Sequence, residues 1–342
     1  MHSPLERIEK KGADFLSLLQ NNAYIWLCFL FTLVLVLNGI NTTDMGEFIP
    51  MSLHPFNLAV ESERQFLYSS PINMFLAHLL GLESVFGFYV IHIGEIALML
   101  FCVAFSVRHK IPETKQQVVF LTLLSLTPLW LIVIKWIGKP DPILIAGLFL
   151  CWAFRSRWRV AIALMMVLAH REAGSVMVAA FYLSEKKKDH NLFVSLLVGN
   201  ALHMLYQYGM LDYAPESRPE VMLDKIPDFL RAIVNMPTLY VMSMLTWYWV
   251  IILKRGLTAA EAGVMLMAAC MAFLLEDFTR DFILAALPAL LFHAARLAQS
   301  SDGTAWKKLW PLAPLQFQIA TLGHVAFTRN IFLDLILRSH GR

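Results

Sequence analysis

The run YIWLCFLFTLVLVLNGI, residues 24–40, has no charged side chain and decides how the whole chain is interpreted. Comparable apolar runs recur as far as residue 327, and 58% of the 342 residues are hydrophobic whereas 15% are charged. A soluble domain of this length carries about 25% charged residues. Because a backbone in lipid must satisfy its own hydrogen bonds, and these runs do not alternate as barrel strands do, the sequence predicts an all-α, polytopic transmembrane helical bundle.

Basic side chains are concentrated between alternate apolar runs, for example at 186–188 and 254–255. Such stretches lie on the cytoplasmic side of a membrane. We therefore expect a multi-pass protein of the cytoplasmic (inner) membrane. The predicted divisions are a cytoplasmic arm (1–23), a single transmembrane domain (24–327) with outer segments 41–85 and 212–235, and a tail (328–342). The nine or so full spans expected are 24–40, 86–106, 117–135, 143–154, 191–211, 236–253, 258–275, 282–298 and 311–327.

Two shorter apolar runs, VAIALMMVLA (160–169) and GSVMVAAFYL (174–183), flank the polar phrase HREA. Each run is about half as long as a bilayer-spanning helix, at about 1.5 Å of rise per residue. Both outer ends of the pair are basic, so both belong on the cytoplasmic side. The pattern predicts a broken re-entrant hairpin, which membranes tolerate only against protein or a wet cavity.

The predicted topology brings most of the remaining charged side chains to the outer ends of helices. The acids are Asp44, Glu47, Asp141, Glu276, Asp277 and Asp281, with Glu172 at the tip of the hairpin; the cations are Lys135, Lys139, Arg171 and Arg280. A charge near the bilayer centre costs at least about 2.5 kcal/mol, so such groups are usually paired or face water. We therefore predict a polar cavity at the outer face, with Asp44 and Glu47 forming one wall.

Most members of this set also have a simpler structural interpretation. Asp44 and Glu47 suit a helix N-terminus, Asp141 suits a turn between prolines, Arg171 and Glu172 suit a local ion pair, Glu276 and Asp277 suit a solvated rim, and Arg280 suits a side chain that snorkels. His92 and Glu95 lie inside the span 86–106, outside this set, and suit either a buried hydrogen bond or a proton relay. The combination carries more weight than any member, because four separate segments bring opposite charges to one face.

Four phrases in a fixed order resemble those of a known superfamily. They are TTDMGEF, SSPINMFLAHLLG, GKPDPILIAGLFL and EDFTRDFILAALPALL. An acidic pair after the first span, a surface helix opened by proline, a lone Asp before a later span and an acid-x-x-Arg phrase before a proline-containing span resemble the GT-C superfamily. Its members are polytopic glycosyltransferases with lipid-linked sugar donors. The resemblance covers most of residues 24–300.

The resemblance implies transfer of a sugar from a polyprenyl-phosphate-linked donor to a glycan or lipid acceptor outside the membrane. Such transfer needs a base for the acceptor hydroxyl and cations for the departing phosphate. The implied roles are Asp44 as base, Glu47 as its alternative, Arg280 as phosphate ligand with Lys139 and Arg171 as second candidates, and Asp141, Glu172, Glu276 and Asp277 as further substrate- or phosphate-binding residues.

The chemistry of the outer face sets the expected cofactors and partners. A divalent cation, Mg²⁺ or Mn²⁺, between Asp44 and Asp141 is compatible with it, but no ligand set demands one, so no metal ligands are predicted. The expected partners are the lipid-linked donor, the acceptor and the membrane. The net charge of +3 is too small to indicate a nucleic acid.

Two other classes of function compete with this one. A polysaccharide polymerase or ligase acting on lipid-linked glycans would use the same face, but usually has a large outer loop with several arginines; segment 212–235 contains Arg218 and Arg231. Broken spans in matching halves of the chain would favour a non-enzymatic lipid or solute transporter. The sequence contains a single broken hairpin, with no counterpart in the other half.

Overall fold

The structure is a computed structural model that describes residues 14, 16–39, 45–59, 67–155, 157–211, 227, 231, 234, 237–274, 278–300 and 303–316. The all-α prediction is confirmed for this part of the chain. The predictions for Asp44, Glu276 and Asp277 lie outside the described residues. So do residues 1–13, most of segment 212–235, and the tail together with everything after residue 316.

The regular elements are helical. The α-helices are α1 (Ala23–Asn38), α2 (Met45–Leu53), α3 (Ile72–Leu80), α4 (Val85–Lys110), α5 (Thr114–Ser125), α6 (Leu129–Lys135), α7 (Asp141–Ala153), α8 (Arg157–Ala169), α9 (Arg171–Ser184), α10 (Leu192–Met204), α11 (Pro237–Leu245), α12 (Tyr248–Arg255), α13 (Ala259–Leu274), α14 (Phe278–Ala298) and α15 (Gly303–Trp306). A π-helix, Leu205–Met210, extends α10, and a 3-10 helix, Lys307–Leu312, follows α15.

Helix α14 lies at the centre of the molecule. It packs against α5, α9 and α13, and almost every side chain along it is buried. The large aromatic residues Trp26, Trp130 and Phe149 fill the surrounding core and are fully buried. Close packing of this kind is what holds helices together where the surroundings are as apolar as the side chains themselves.

The prediction of about nine full spans is wrong. Among the described residues, two helices are long and apolar enough to cross a membrane, α4 with 26 residues and α14 with 21. A third span results if the bent pair α5–α6 counts as one. Helices α1, α7 and α13 are apolar but shorter, and a hydrocarbon core about 30 Å thick requires about 20 helical residues. The described part of the chain therefore has two candidate membrane-spanning helices, and the nine-span bundle is not supported.

Local chemistry explains why apolar runs stop short of full spans. Helices α5 and α6 meet at a 60° bend. There the hydroxyls of Ser125 and Thr127 donate to the carbonyls of Leu121 and Leu124, and Pro128 has no N–H to donate. A hydropathy average over the same residues is unchanged by such a break, so the sequence predicted a continuous span over 117–135.

The predicted re-entrant hairpin is likewise not supported. The chain does break at His170, between α8 and α9, where the imidazole Nδ1 accepts the N–H of Ala173 at 3.4 Å. The two helices have 13 and 14 residues. However, the bent pair that is apolar enough for a broken span is α5–α6, and α8–α9 does not meet the same criterion within the described part.

A second, smaller core lies under the segment that follows α1. We call it the small core; its buried members are Phe48, Met51, Leu67, Tyr68, Met74, Ala77, Phe88, Ile91, Ile137, Tyr206 and Leu211. These residues come from α2, the segment 67–70, α3, the start of α4, the turn after α6, and the π-helix with the residue that follows it. The small core thus brings six separate parts of the chain together beside the turn at 136–140.

Helix α4 has an apolar face that the described part of the chain leaves largely exposed. We call it the apolar stripe; it consists of Phe86, Val90, Ile93, Leu98, Phe101 and Phe105, which are 40–75% exposed. Their spacing places them along one side of the helix. Such a surface is unfavourable in water and is what a lipid-facing helix requires.

Candidate functional site

The candidate site is built on the turn that joins α6 to α7. The N–H of Lys139 donates to the carbonyl of Trp136 at 3.1 Å, and Gly138 between them has a φ of +94°, which glycine adopts without strain. Asp141 then begins α7, with Pro142 in its first turn. A carboxylate in this position also interacts favourably with the N-terminal end of the helix dipole.

Asp141 and Arg280 form a buried bidentate ion pair. The guanidinium donates from Nη2 to Oδ1 at 2.6 Å and from Nε to Oδ2 at 2.7 Å. The side chain of Asp141 is 0% exposed and that of Arg280 is 4% exposed. Arg280 Nη1 lies 3.3 Å from Asp281 Oδ1, and the guanidinium stands 5.8 Å from the ring centroid of Trp136. The structure therefore places the GKPDP turn in direct contact with the EDFTRD motif.

Lys139 connects the same turn to the first predicted acidic motif. It is 5% exposed, and its Nζ lies 5.6 Å from the ring centroid of Phe48 in α2. Phe48 also stacks on Phe88 at 6.0 Å. Glu47, the residue before Phe48, is partly buried. Helix α2, which directly follows Asp44 in the sequence, is thus packed against the Lys139 turn.

Arg171 and Glu172 begin α9 on another side of the small core. Arg171 donates from Nη1 to Gln207 Oε1 at 2.6 Å, and its Nη2 lies 3.3 Å from Glu172 Oε1. Gln207 belongs to the π-helix that contributes Tyr206 to the small core. The contacts of Arg171 are therefore those of a local ion pair that reaches the small core through Gln207, as one of the sequence interpretations proposed.

Two tyrosines of the small core bind the backbone of the segment after α2 through their hydroxyl groups. The Tyr68 hydroxyl donates to the carbonyl of Asn57 and accepts the N–H of Ala59, both at 2.9 Å. The Tyr206 hydroxyl donates to the carbonyl of Pro55 at 2.6 Å. Burial raises the pKa of Tyr68, against a smaller opposing effect of the Ala59 N–H, and burial also raises the pKa of Tyr206. Both phenols therefore remain donors at neutral pH.

The structure adds a residue that sequence reasoning missed, Asn73. Its Nδ2 donates to the carbonyl of Gly138 at 3.0 Å and lies 3.4 Å from Glu95 Oε2. Glu95 and His92 sit on the buried face of α4, and His92 Nε2 is 2.8 Å from the carbonyl of Val133. Its position in the helix INMFLAHLL, where His78 is the other polar residue, is the one signal that could have drawn attention to Asn73.

The arrangement does not favour a divalent metal at Asp141. Both of its carboxylate oxygens already accept from Arg280, so a metal there would face a guanidinium at close range. Within the residues that the structure describes, His, Cys, Asp and Glu side chains form no group of three suited to a metal ion. The chemistry available at the turn is that of two buried cations, Lys139 and Arg280, oriented by a carboxylate and two aromatic rings.

Over the described residues, the fold and this site define an all-α structure with two candidate membrane-spanning helices and a buried, charged turn between the core around α14 and the small core. Comparison with models of protein families, with curated proteins and with solved structures finds no match to this chain.

Proposed function

We propose that the protein is a membrane glycosyltransferase that moves a sugar from a polyprenyl-phosphate-linked donor to a glycan or lipid acceptor. The observation that carries the proposal is the meeting of three distant segments at one turn. Asp141 binds Arg280 across 139 positions of sequence, and Lys139 packs on Phe48 of α2. These are the segments that contain three of the four motifs on which the GT-C resemblance rests.

The charges at the turn suit the departing group of such a reaction. A polyprenyl phosphate leaves with negative charge, and fixed cations stabilise that charge without reorganisation at the moment of transfer. Asp141 holds the Arg280 guanidinium in one orientation, so we assign Asp141 a positioning role and Arg280 and Lys139 the phosphate-facing role. In the same proposal Asp44 is the base and Glu47 its alternative, while Arg171, Glu172, Glu276 and Asp277 assist substrate binding.

The surroundings of the turn suit a lipid-linked substrate. Helix α4 contributes Glu95 to the polar side and the apolar stripe to its outer side, so one helix borders both an apolar surface and the charged turn. We propose that the protein lies in the cytoplasmic (inner) membrane with this turn towards the outside. The basic loops at 186–188 and 254–255 support that orientation, because positive loops remain cytoplasmic.

Transfer of radiolabelled sugar from a polyprenyl-phosphate donor by the purified protein tests the proposal. We expect Asp44→Asn to lower the rate of transfer by about 100-fold or more, as loss of a general base does. Glu47→Gln measured beside it decides which carboxylate is the base. Glu113→Gln is the matched control, because Glu113 is exposed before α5, outside the proposed site.

The outcomes separate the competing functions. Undiminished transfer by Asp44→Asn would remove Asp44 from the role of base. A wild-type protein that elongates lipid-linked glycans instead of transferring single sugars would be a polymerase. A protein that moves the labelled lipid across vesicles without any transfer would be a transporter, and the proposal would fail.

A further inference from the structure

We propose that His92 and Glu95 jointly bind one proton inside helix α4, and that Asn73 couples this proton to the turn that holds Lys139 and Asp141. The inference concerns a binding site for a proton, does not depend on sugar transfer, and stands or fails separately from it. It rests on the directions of four polar contacts and on the burial of the groups that make them.

The hydrogen bond to Val133 determines the state of the His92 ring. A backbone carbonyl only accepts, so Nε2, at 2.8 Å from the Val133 oxygen, must carry a hydrogen. In the neutral imidazole the other nitrogen, Nδ1, is then a bare lone pair. That lone pair lies 3.6 Å from Glu95 Oε2. Two acceptors at this distance repel unless a proton sits on one of them.

Burial makes the proton necessary. His92 is 2% exposed and Glu95 is 6% exposed, so neither can be stabilised by bulk water. A carboxylate left unpaired in such a place costs several kcal/mol. One proton between the pair removes the repulsion, whether it resides on Nδ1 as an imidazolium or on Oε2 as a carboxylic acid. Because the two groups lie this close together, the proton belongs to the pair and not to either residue alone.

Within the part of the chain that the structure describes, the charged groups near the pair have contacts of their own. Asp141, on α7, acts electrostatically on Glu95, but its own charge is matched by Arg280. Helix α1 also packs against α4 and contains no Asp, Glu, His, Lys or Arg. The ammonium of Lys135, on α6, donates a hydrogen bond to the carbonyl of Asn38. The ammonium of Lys139 lies over the ring of Phe48. Helix α3 contacts Glu95 through the neutral amide of Asn73.

Asn73 transmits the state of the pair to the turn. One amide nitrogen donates both to Gly138 O at 3.0 Å and to Glu95 Oε2 at 3.4 Å. Loss of the proton leaves Glu95 as an anion that a neutral His92 ring no longer balances, and charged acceptors form the stronger hydrogen bonds. The amide is then drawn towards Glu95 and away from Gly138. Because Gly138 precedes Lys139, the deprotonated pair loosens the turn that presents the two cations.

Infrared difference spectra of the purified full-length protein in lipid nanodiscs, recorded across a pH titration, test for the shared proton. We expect one transition that involves both carboxyl and imidazole bands. Glu95→Gln, which keeps the shape of the side chain, should abolish it, and His92→Gln should move its midpoint by about one pH unit or more. Glu83→Gln is the matched control, since Glu83 and His78 form a second His–carboxylate contact, at 3.4 Å, that is more exposed.

Hydrogen exchange of residues 136–141 tests the coupling. In the wild type, exchange should rise as the pH passes through the infrared transition, beyond the intrinsic increase of unstructured amides. In Asn73→Ala it should be high on both sides of the transition. A transition that survives in Glu95→Gln, or a midpoint that does not move in His92→Gln, would overturn the shared proton. If hydrogen exchange at the turn does not change across the infrared transition in the wild type, the coupling is overturned.

Discussion

Arg280 and Asp141 depend on each other because both are almost wholly buried. Guanidinium and carboxylate planes match in shape, and the two parallel contacts at 2.6 and 2.7 Å satisfy donors and acceptors that would otherwise be unpaired. Removing one partner of a buried pair leaves the other as an uncompensated charge, which is much more costly than losing an exposed pair. The stability of this turn therefore depends strongly on either residue alone.

We expect Asp141→Asn to destabilise the protein by about 3 kcal/mol, because Arg280 keeps its charge and loses its main counterion. The midpoint of denaturation of the purified protein in mild detergent measures this. Glu261→Gln is the matched control, an acid-to-amide change in a pair whose arginine, Arg296, is 43% exposed. It should cost less than about 1 kcal/mol. Equal losses in the two variants would show that the Asp141–Arg280 pair has no special structural weight.

Much of the charged site was visible residue by residue in the sequence, but its pairing was not. Asp141, Lys139 and Arg280 were singled out because charge is rare in apolar surroundings. That Asp141 binds Arg280 rather than standing opposite it across a cavity depends on side-chain geometry that no local pattern contains. Asn73 was missed for a related reason, since a polar residue in a mostly apolar helix has many explanations until its partners are known.

At the scale of elements, the junction of α8 and α9 shows how one glycine sets helix packing. A Cβ at Gly174 would lie 2.2 Å from the carbonyl oxygen of Met166 and 2.9 Å from the Cα of Val167. Backbone atoms cannot move aside as a flexible side chain can. The close approach of these two helices therefore requires a residue without a side chain, as helix contacts in membranes often do.

Gly174→Ala should lower the stability of the protein by about 1–3 kcal/mol, because the new methyl group forces α8 and α9 apart. Gly94→Ala is the control, since Gly94 is also helical and nothing stands within 4 Å of its added Cβ. That change should be neutral or stabilise by about 0.5–1 kcal/mol through helix propensity. Thermal unfolding of both variants in the same detergent makes the comparison, and equal shifts would contradict the packing argument.

The elements also explain which predictions of span failed. Helix type was predictable from long apolar runs, but helix ends were not. Thr246, between α11 and α12, has a φ of +46° and donates its hydroxyl to the carbonyl of Leu126, 120 positions earlier. The partner that stabilises this break is distant in sequence, so the break does not change the local hydropathy. Residues 236–253 were predicted to form one span from that hydropathy alone.

At the scale of the whole molecule, the apolar stripe of α4 decides how the protein meets its surroundings. Ile93 is 62% exposed and Phe101 63%, on a helix whose other face holds Glu95 and His92. Helix α14 has the opposite character, with 78% of its most apolar window buried within the protein. Of the two candidate spans, α4 therefore offers the larger surface to lipid.

Leu98→Arg should prevent stable association with membranes, because it places a charge near the middle of the exposed face of α4 at a cost of at least about 2.5 kcal/mol. Phe86→Arg is the control; residue 86 lies at the start of the helix, where a long basic side chain reaches the interface. Extraction of membranes with alkaline carbonate compares the two. If Leu98→Arg resists extraction as well as Phe86→Arg does, the middle of this stripe is not in lipid.

The sequence by itself determined that this chain is helical, that it is rich in apolar residues, and which few charged residues require an explanation. These properties follow from composition and periodicity, which are sums over neighbouring residues. Only the tertiary structure decided how long each helix is, that Asp141 holds Arg280, and that Asn73 joins Glu95 to Gly138. Those features depend on hydrogen bonds and contacts between residues far apart in sequence, and such contacts form only when the packed helices bring their partners within reach.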